Sequence, residues 1–216
     1  MLTLSHPEYP ENLRVVENRP PLLFVAGSLS PGDGRAVSVI GTRQPSDSGR
    51  TLARDAAQAL SRAGFAVVSG LAAGIDAEAH RAVLELRESD RGHGARTIAV
   101  LGTGLDRAYP PENAALQALI AREGAVISQF WPEAPPSRQS FPARNAVMSG
   151  MTLGSVIVEA SEHSGTRIQA RQALAQGRIV VLMPPALESV WARELVERPG
   201  VVVAHDGADV VGVFRR

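Results

Sequence analysis

Short apolar runs rich in β-branched residues alternate with longer segments of helical periodicity through most of this chain. The runs are residues 36–40, 65–68, 97–101, 125–127, 155–158, 179–182 and 201–203, and Gly or Ser directly follows the first four of them. The helical segments are residues 48–62, 77–86, 113–122, 144–151, 167–176 and 187–197. This alternation favours parallel strands joined by right-handed crossovers, with helices on both faces. The predicted fold class is therefore α/β, a single domain built on an extended Rossmann-like parallel sheet.

The first 35 residues differ from the rest because they are rich in Pro and Gly. They predict an N-terminal extension, with an edge strand at residues 22–25, packed on a Rossmann-like domain of residues 36–216. Residues 87–96, rich in charge and Gly, and residues 129–142, rich in Pro, predict loops. In open α/β sheets ligands bind beyond the carboxyl ends of the strands, which is where the second loop lies.

The charge and cysteine content of the chain limit the kinds of binding and catalytic site that it can have. The 22 basic residues, all Arg, balance 22 acidic residues, so a nucleic acid would have to meet a local basic cluster. The chain has no Cys, which excludes disulfides, thiolate metal sites and a cysteine nucleophile. We expect no metal and no cofactor. The chain has neither a signal-peptide pattern nor an apolar run of transmembrane length, so we expect a cytoplasmic protein with no membrane partner.

Glycine-rich motifs follow three predicted strands. Small side chains leave backbone N–H groups open to an anion, and a following helix N-terminus adds partial positive charge. The spacing departs from G-x-G-x-x-G, which disfavours a nicotinamide cofactor. Each motif alone also fits an ordinary turn, and Asp76 and His80 also fit a helix cap and an internal hydrogen bond. The candidate phosphate-binding residues are Gly41, Thr42, Arg43, Ser69, Gly70, Ala72, Gly74, Gly102 and Gly104.

A fourth motif combines cations with an aromatic ring in the proline-bounded loop: Arg138, Phe141, Arg144 and Asn145. An Arg guanidinium binds phosphate and a ring offers a stacking face, so this pairing suits a single nucleic-acid strand. Phe141 equally fits a buried core position.

A fifth motif, Ser164-Gly165-Thr166, opens the next helical segment and predicts another anion-binding turn. Just before it, Glu159 ends a predicted strand. This carboxylate is a candidate to orient Arg144 or to act on a substrate.

In this order, the motifs resemble the DNA-processing protein A family, DprA, also called Smf. The matching stretches, within residues 7–185, are 9–10, 39–43, 69–80, 97–106, 141–145 and 164–166. The resemblance implies a Rossmann-like domain that binds single-stranded DNA, forms a homodimer and helps to load the recombinase RecA during natural transformation. It also implies that the five motifs form the DNA site.

The chain departs from the family pattern at several places. Ala146 stands where the family usually has another Arg, and Met183-Pro184-Pro185 replaces Val-Pro-Gly. After Ser-Gly the family usually reads Leu-Ile-Thr-Ala, where this chain has residues 166–170, Thr-Arg-Ile-Gln-Ala. The length leaves no room for the N-terminal helical domain and C-terminal winged helix of many members, so we expect the Rossmann-like domain alone.

The same loops also fit a nucleotide-binding sensor or a LOG-type nucleoside monophosphate phosphoribohydrolase. Arg144 and Met148 match the Arg-x-x-x-Met helix of those hydrolases. Their Pro-Gly-Gly-x-Gly-Thr-x-x-Glu pattern is incomplete here, with Gln169 in place of the Glu. A general acid or base is then missing. We therefore favour single-strand binding and assign no catalytic residue.

Overall fold

A computed structural model of the chain describes residues 1–162 and 164–215. His163, directly before the fifth motif, and Arg216, the last residue of the predicted main domain, lie outside the described residues. The strands are β1 (Leu2–Thr3), β2 (Leu22–Gly27), β3 (Ala36–Ile40), β4 (Ala66–Ser69), β5 (Thr97–Val100), β6 (Ala125–Ser128), β7 (Gly154–Ile157), β8 (Ile179–Leu182) and β9 (Val201–Val203). The helices are α1 (Glu11–Arg14), α2 (Asp47–Arg62), α3 (Ile75–Ser89), α4 (Ala114–Glu123), α5 (Ser140–Met151), α6 (Thr166–Ala175), α7 (Val190–Val196) and α8 (Gly207–Phe214).

All of these strands join one sheet in the order β1-β2-β6-β5-β4-β3-β7-β8-β9. From β6 to β9 every neighbouring pair is parallel, which confirms the predicted α/β class and Rossmann-like sheet. The chain builds outward from β3 through β4, β5 and β6, then returns to place β7, β8 and β9 on the other side of β3. The switch point of the sheet is therefore the crevice between β3 and β7, where ligands bind in open α/β folds.

The sheet is buried on both faces because alternate residues of each parallel strand point to opposite helical layers. On one face Ala36 and Ile40 of β3 share a core cluster with residues of α1, α5, α6 and α7. On the other, Val37 and Val39 pack with α2, α3 and α8, and α4 covers the β5–β6 side of that face. Two-sided burial explains why the strand sequences are continuously apolar.

The N-terminal segment corrects the prediction of an all-parallel sheet. β2 pairs antiparallel with β6, and β1 pairs antiparallel with β2. The strand predicted at residues 22–25 thus runs from Leu22 to Gly27, and β1 rather than β2 occupies the edge. Residues 1–35 pack on the remainder of the protein through backbone hydrogen bonds of the sheet itself.

The start of α5 and the presence of α8 differ from the sequence expectation. α5 begins at Ser140, so Phe141 lies in the first turn of a helix and not in the predicted loop of residues 129–142. Arg144 lies on this helix, as predicted for residues 144–151. α8 was absent from the prediction because its Val-rich sequence resembles a strand. The Asp206 carboxylate starts it by accepting a hydrogen bond from the Asp209 amide at 2.8 Å. Among the described residues, every helix is too short or too polar to span a bilayer.

Candidate functional site

A cavity of about 450 Å³ opens at the switch point of the sheet. Its walls come from the segments that follow β3, β4 and β7 and from one face of α5, where residues spaced three or four apart point the same way. Ten of the predicted site residues line it: Gly41, Thr42, Arg43, Ala72, Phe141, Arg144, Asn145, Ser164, Gly165 and Thr166. The convergence expected from separate motifs is therefore present in the fold.

A second cavity of about 330 Å³ adjoins the first on the side of β4 and β5. Both are lined by Arg43, Ala72, Phe141 and Arg144. The second cavity adds two more predicted residues, Gly70 and Gly102. At Gly102 a Cβ atom would lie 2.7 Å from the Phe141 ring, so glycine is required for the ring to lie against this loop.

Ser69 and Gly74 were predicted to bind phosphate but line neither cavity. The Ser69 hydroxyl is buried and donates to the Val39 carbonyl oxygen at 2.7 Å. Gly74 adopts a φ of +78°, and a Cβ there would meet the Thr42 carbonyl oxygen at 2.4 Å. These two residues therefore hold the first two loops against each other.

Gly104 and Arg138 also lie outside both linings. The Gly104 amide donates to the Ala134 carbonyl oxygen at 3.0 Å, and a Cβ would collide with the backbone of Trp131. Arg138 is an exposed residue of the loop that precedes α5. The structure gives Gly104 a packing role and leaves Arg138 on the surface beside the site.

The second glycine loop binds a carboxyl group of the protein itself. Asp76 Oδ2 accepts hydrogen bonds from the Gly70 amide at 3.1 Å and from the Ala72 amide at 3.4 Å. Burial raises the pKa of Asp76, while the nearby Arg144 and these amides act in the opposite direction. Each amide has one hydrogen, so the prediction that these two groups face a phosphate needs correction: an internal carboxylate takes that place.

Arg144 is 7% exposed and braces the ends of two strands. Its Nη1 donates to the carbonyl oxygens of Gly70, at 2.5 Å, and Val100, at 3.0 Å. Its Nε donates to Asn145 Oδ1 at 3.0 Å. Burial lowers the pKa of Arg144, and Asp76 opposes that shift. Arg144 therefore has a structural task in addition to lining both cavities.

Arg43 differs from Arg144 because its side chain is exposed at the cavity mouth. Within the described residues, no carboxylate lies within 4.0 Å of its guanidinium. Its guanidinium carbon lies 5.9 Å from the centroid of the half-buried Phe141 ring. The Tyr109 ring also lies close to Phe141, with the ring centroids 5.6 Å apart. An unneutralised cation and an aromatic face thus stand together at the mouth.

The sequence suggested that Glu159 orients Arg144 or acts on a substrate. In the structure it does not contact Arg144, and its carboxylate is occupied by other residues. Its carboxylate accepts hydrogen bonds from the Ser46 amide at 3.0 Å and the Ser46 hydroxyl at 2.9 Å. Ser46 in turn caps α2 by accepting from the Gly49 amide. The start of α2 has partial positive charge that attracts anions, and the Glu159 carboxylate already lies there.

The fifth motif lies at the opposite wall of the first cavity. Thr166 Oγ1 donates to Ser164 Oγ at 2.7 Å, and the Thr166 amide donates to the same oxygen at 3.2 Å. Gly165 is exposed, and a Cβ there would meet no atom within 4 Å. This turn opens α6 and leaves open space at Gly165. Anion binding by the turn stays a prediction.

His80 has an internal role, as one of the two sequence interpretations proposed. It is fully buried on α3, and its Nδ1 shares a hydrogen bond of 2.7 Å with Thr97 Oγ1. Burial lowers its pKa to about 3. The neutral imidazole therefore joins α3 to β5 and takes no part in the cavity surface.

Sequence reasoning gave no binding role to Gln169 on α6. This side chain lines the first cavity and is 2% exposed. Met148, on α5, contributes an apolar part of the same wall. The signal for Gln169 was its position three residues after Thr166, almost one helical turn along the same face. Among residues 1–162 and 164–215, no group of three His, Asp or Glu side chains is placed to hold a metal ion.

Comparison with known proteins identifies the family of the chain. The sequence matches the family described as DNA recombination-mediator protein A over residues 1–199. The chain belongs to this family. It is 39% identical to the protein Smf of Synechocystis over 214 residues, which cover 97% of this chain and 51% of Smf. The chain thus spans about half the length of that curated relative.

Solved structures of the family have the same fold. The crystal structure of DNA processing protein A from Streptococcus pneumoniae superposes with a TM-score of 0.87 at 33% identity, covering 98% of this chain and 72% of that one. The Helicobacter pylori protein, whose structure describes a single-stranded DNA binding mode, gives a TM-score of 0.83 at 25% identity, with 96% and 93% covered. The resemblance to this family that was drawn from the motifs is confirmed.

Proposed function

We propose that this protein binds single-stranded DNA at the switch-point cavity, with Arg43 as its main phosphate contact and Phe141 as its stacking face. The observation that carries the proposal is the pairing of these two side chains at the mouth shared by both cavities. The single-stranded DNA binding mode described for the Helicobacter pylori relative supports it.

Preference for a single strand follows from the position of Phe141. A base can lie on an aromatic ring only when it leaves its own stack, which costs little in a single strand and several hydrogen bonds and stacking contacts in a duplex. The exposed Arg43 supplies charge that follows the backbone regardless of sequence. Both contacts are sequence-tolerant, in accord with a general DNA-processing role.

We place the backbone phosphate between Arg43 and the N-terminus of α6 rather than in the second glycine loop. Asp76 already accepts from the Gly70 and Ala72 amides, and Glu159 already meets the start of α2. The turn at the start of α6 is open in front of Gly165. A backbone phosphate between Arg43 and this turn would meet positive partial charge on both sides.

The competing hydrolase function has little support in the geometry. Gln169 cannot supply the acid or base that the LOG pattern places there. Glu159, the nearest alternative on the β7 side, is held by Ser46. We infer that the cavity binds nucleotides without cleaving them, and release of free base from nucleoside monophosphates would contradict this.

Binding of labelled oligo-dT, measured by fluorescence anisotropy beside the matching duplex and a panel of free nucleotides, tests the proposal. We expect the single strand to bind most tightly and its affinity to fall steeply as salt rises, because bound Arg releases counterions. Equal or tighter binding of the duplex at matched salt would contradict single-strand binding. Binding of a mononucleotide alone would favour a nucleotide sensor.

Homodimer formation, a cytoplasmic location and assistance to RecA are further predictions that come with the family. Sedimentation of the purified chain tests the first. For the last, we expect the protein to speed assembly of RecA on single strands, which a filament-assembly assay measures.

A further inference from the structure

Trp131 is the most exposed aromatic residue in the part of the chain that the structure describes. It lies in the loop directly after β6 and is 70% exposed, whereas Trp191, the other Trp of the chain, is 3% exposed. Trp has a large apolar surface and is highly buried on average in folded proteins. Single apolar residues do occur on protein surfaces, so the surroundings of Trp131 decide whether its exposure has a use.

Backbone hydrogen bonds hold the Trp131 loop against the loop that follows β5. The Ala134 amide donates to the Trp131 carbonyl oxygen at 2.8 Å, which closes a four-residue turn. The Gly104 amide donates to the Ala134 carbonyl oxygen at 3.0 Å, and the Asp106 amide donates to that of Pro132 at 2.9 Å. A Cβ at Gly104 would collide with the Trp131 carbonyl oxygen. Because these bonds join backbone atoms, the position of the turn does not depend on its side-chain neighbours.

Two side chains add to this support without covering the Trp131 ring. Arg107 Nε donates to the Glu133 carbonyl oxygen, within the same turn, at 2.6 Å. The Phe24 ring, on β2, has its centroid 5.3 Å from that of Trp131. The ring is therefore held in place and remains open to solvent. An aromatic side chain that is already ordered loses little conformational entropy when it binds another molecule.

Trp131 lies at the same edge of the sheet as the proposed DNA site. β5 and β6 are parallel neighbours, about 4.8 Å apart, so the loops after them leave the same edge. A Cβ at Gly102 would meet the Phe141 ring, and one at Gly104 would meet the backbone of Trp131. The two aromatic residues thus contact opposite ends of one three-residue segment. The exposed Tyr109 ring, 5.6 Å from Phe141, extends the aromatic surface outside the cavities.

We propose that Trp131 is a second stacking face, outside both cavities, for a base of the single strand that continues from Phe141 toward β6. Stacking needs only the face of one ring and tolerates any base. A protein interface instead needs an apolar centre, and the exposed residues beside Trp131 are charged: Asp106, Arg107 and Glu133. These three carry more negative than positive charge, so the contact depends on the ring and not on attraction of phosphate. The inference rests on the proposed binding of single-stranded DNA.

Oligo-dT of two lengths separates this contact from the cavities. A strand of about 4 nucleotides fills a single contact region, and one of about 16 extends well beyond it. In Trp131→Ala we expect affinity for the longer strand to fall at least about fivefold, the lower limit for one stacked base. The salt slope should stay the same because no phosphate contact is lost. Affinity for the shorter strand and the melting temperature should also stay close to those of the wild type.

Two further variants test whether the ring itself is needed. Trp131→Phe keeps an aromatic face, so we expect it to retain most of the affinity for the longer strand. Trp131→Leu keeps an apolar side chain without a ring and should behave like Trp131→Ala.

Trp fluorescence adds a measurement on the wild-type chain. Trp191 is buried, so the neutral quencher acrylamide acts mainly on Trp131 at constant salt. We expect the longer strand to protect Trp131 from acrylamide and the shorter strand to leave quenching unchanged.

Unchanged affinity of Trp131→Ala for the longer strand overturns the second stacking face, and so does quenching that the longer strand does not alter. Equal losses of affinity for both lengths overturn it too, because Trp131 would then act on the cavities. If Trp131→Ala changes the sedimentation of the free protein and not its DNA affinity, Trp131 contacts a second copy of the chain and the inference is wrong. A wild-type chain that binds neither strand contradicts the proposed function itself, and the second stacking face with it.

Discussion

The guanidinium carbon of Arg43 lies 5.9 Å from the centroid of the Phe141 ring, and both side chains line the two adjoining cavities. The pair joins the loop after β3 to the first turn of α5, two segments about 100 residues apart in sequence. A cation over an aromatic face contributes roughly 0.5–1 kcal/mol at an exposed site. The larger consequence is that a phosphate contact and a stacking face are held beside each other before DNA arrives.

Arg43→Ala should weaken single-strand binding for every sequence. Arg43 is exposed at the mouth and has no internal partner carboxylate in the described residues, so its loss removes a phosphate contact without disturbing the core. The slope of log K against log salt should become shallower by about one unit. Anisotropy titrations at several salt concentrations measure both quantities.

Arg138→Ala is the matched control for this change. Arg138 is also an exposed Arg, but it lies outside both cavity linings. We expect a smaller loss of affinity than for Arg43→Ala. An equal or larger loss would place the DNA path over the loop before α5 instead of over the cavity mouth.

Arg144→Ala should reduce stability more than Arg43→Ala does. The buried guanidinium binds the carbonyl oxygens of Gly70 and Val100, and its charge faces that of Asp76. Removing the guanidinium takes the donor away from these buried carbonyl oxygens, and each buried polar group left without a partner costs about 1–3 kcal/mol. Urea unfolding at neutral pH measures this cost. A loss below about 1 kcal/mol would show that solvent replaces these contacts easily, contrary to the burial of the side chain.

His80 should make the protein sensitive to acid. Its pKa in the folded state is lowered to about 3, against an ordinary value of 6.5, so the unfolded chain binds a proton first as pH falls. The contribution of neutral His80 to the free energy of unfolding is then at its maximum above about pH 6.5. Below that pH the free energy of unfolding falls by about 1.4 kcal/mol per pH unit, until the folded pKa is reached.

His80→Gln removes the titrating ring and keeps a group able to bond Thr97. We therefore expect the variant to be less stable at neutral pH but to show a flatter decline between about pH 6 and pH 4. Urea unfolding across this range compares the two slopes. Parallel slopes would mean that His80 is protonated in the folded protein.

The sequence predicted those parts of the fold that depend on burial pattern. The runs at β3 to β9 are apolar on both sides, and this pattern fixed their order of appearance and their parallel pairing. Prediction was less accurate for residue types that occur in more than one kind of local structure. Pro142 reads as loop punctuation, yet it lies in the first turn of α5, where proline needs no amide hydrogen. Val occurs more often in strands than in helices, so the Val-rich sequence of α8 did not predict a helix.

The site was predicted in position but only partly in contacts. The backbone amides of glycine loops attract anions, but the sequence alone does not determine which anion binds them. Here Asp76 reaches the amides of Gly70 and Ala72, and Glu159 reaches Ser46, so carboxylates of the protein take places expected for phosphate. Such pairings depend on side-chain positions across the sheet, which motif spacing does not contain.

Substitution of Phe141 distinguishes two roles for its ring: a face on which a base stacks, or a side chain that only fills the core. Its ring is half-buried, lying against the Gly102 loop and 5.6 Å from the Tyr109 ring centroid, and it lines both cavities. Stacking contributes about 1–3 kcal/mol per base with little dependence on salt. Phe141→Ala should therefore weaken single-strand binding several-fold or more and leave the salt slope nearly unchanged.

The accompanying loss of stability should be clearly less than the roughly 3–5 kcal/mol typical of a fully buried Phe→Ala change, because part of the ring faces the cavities. Phe24→Ala is the matched control: Phe24 is also half-buried and packs on another aromatic ring, Trp131 at 5.3 Å, but it lines neither cavity. We expect Phe24→Ala to lower the melting temperature without changing the affinity of the folded protein. If Phe141→Ala behaves in that same way, with a large melting loss and near-normal affinity in the folded fraction, the ring is a plug and Arg43 binds the strand without a stacking partner.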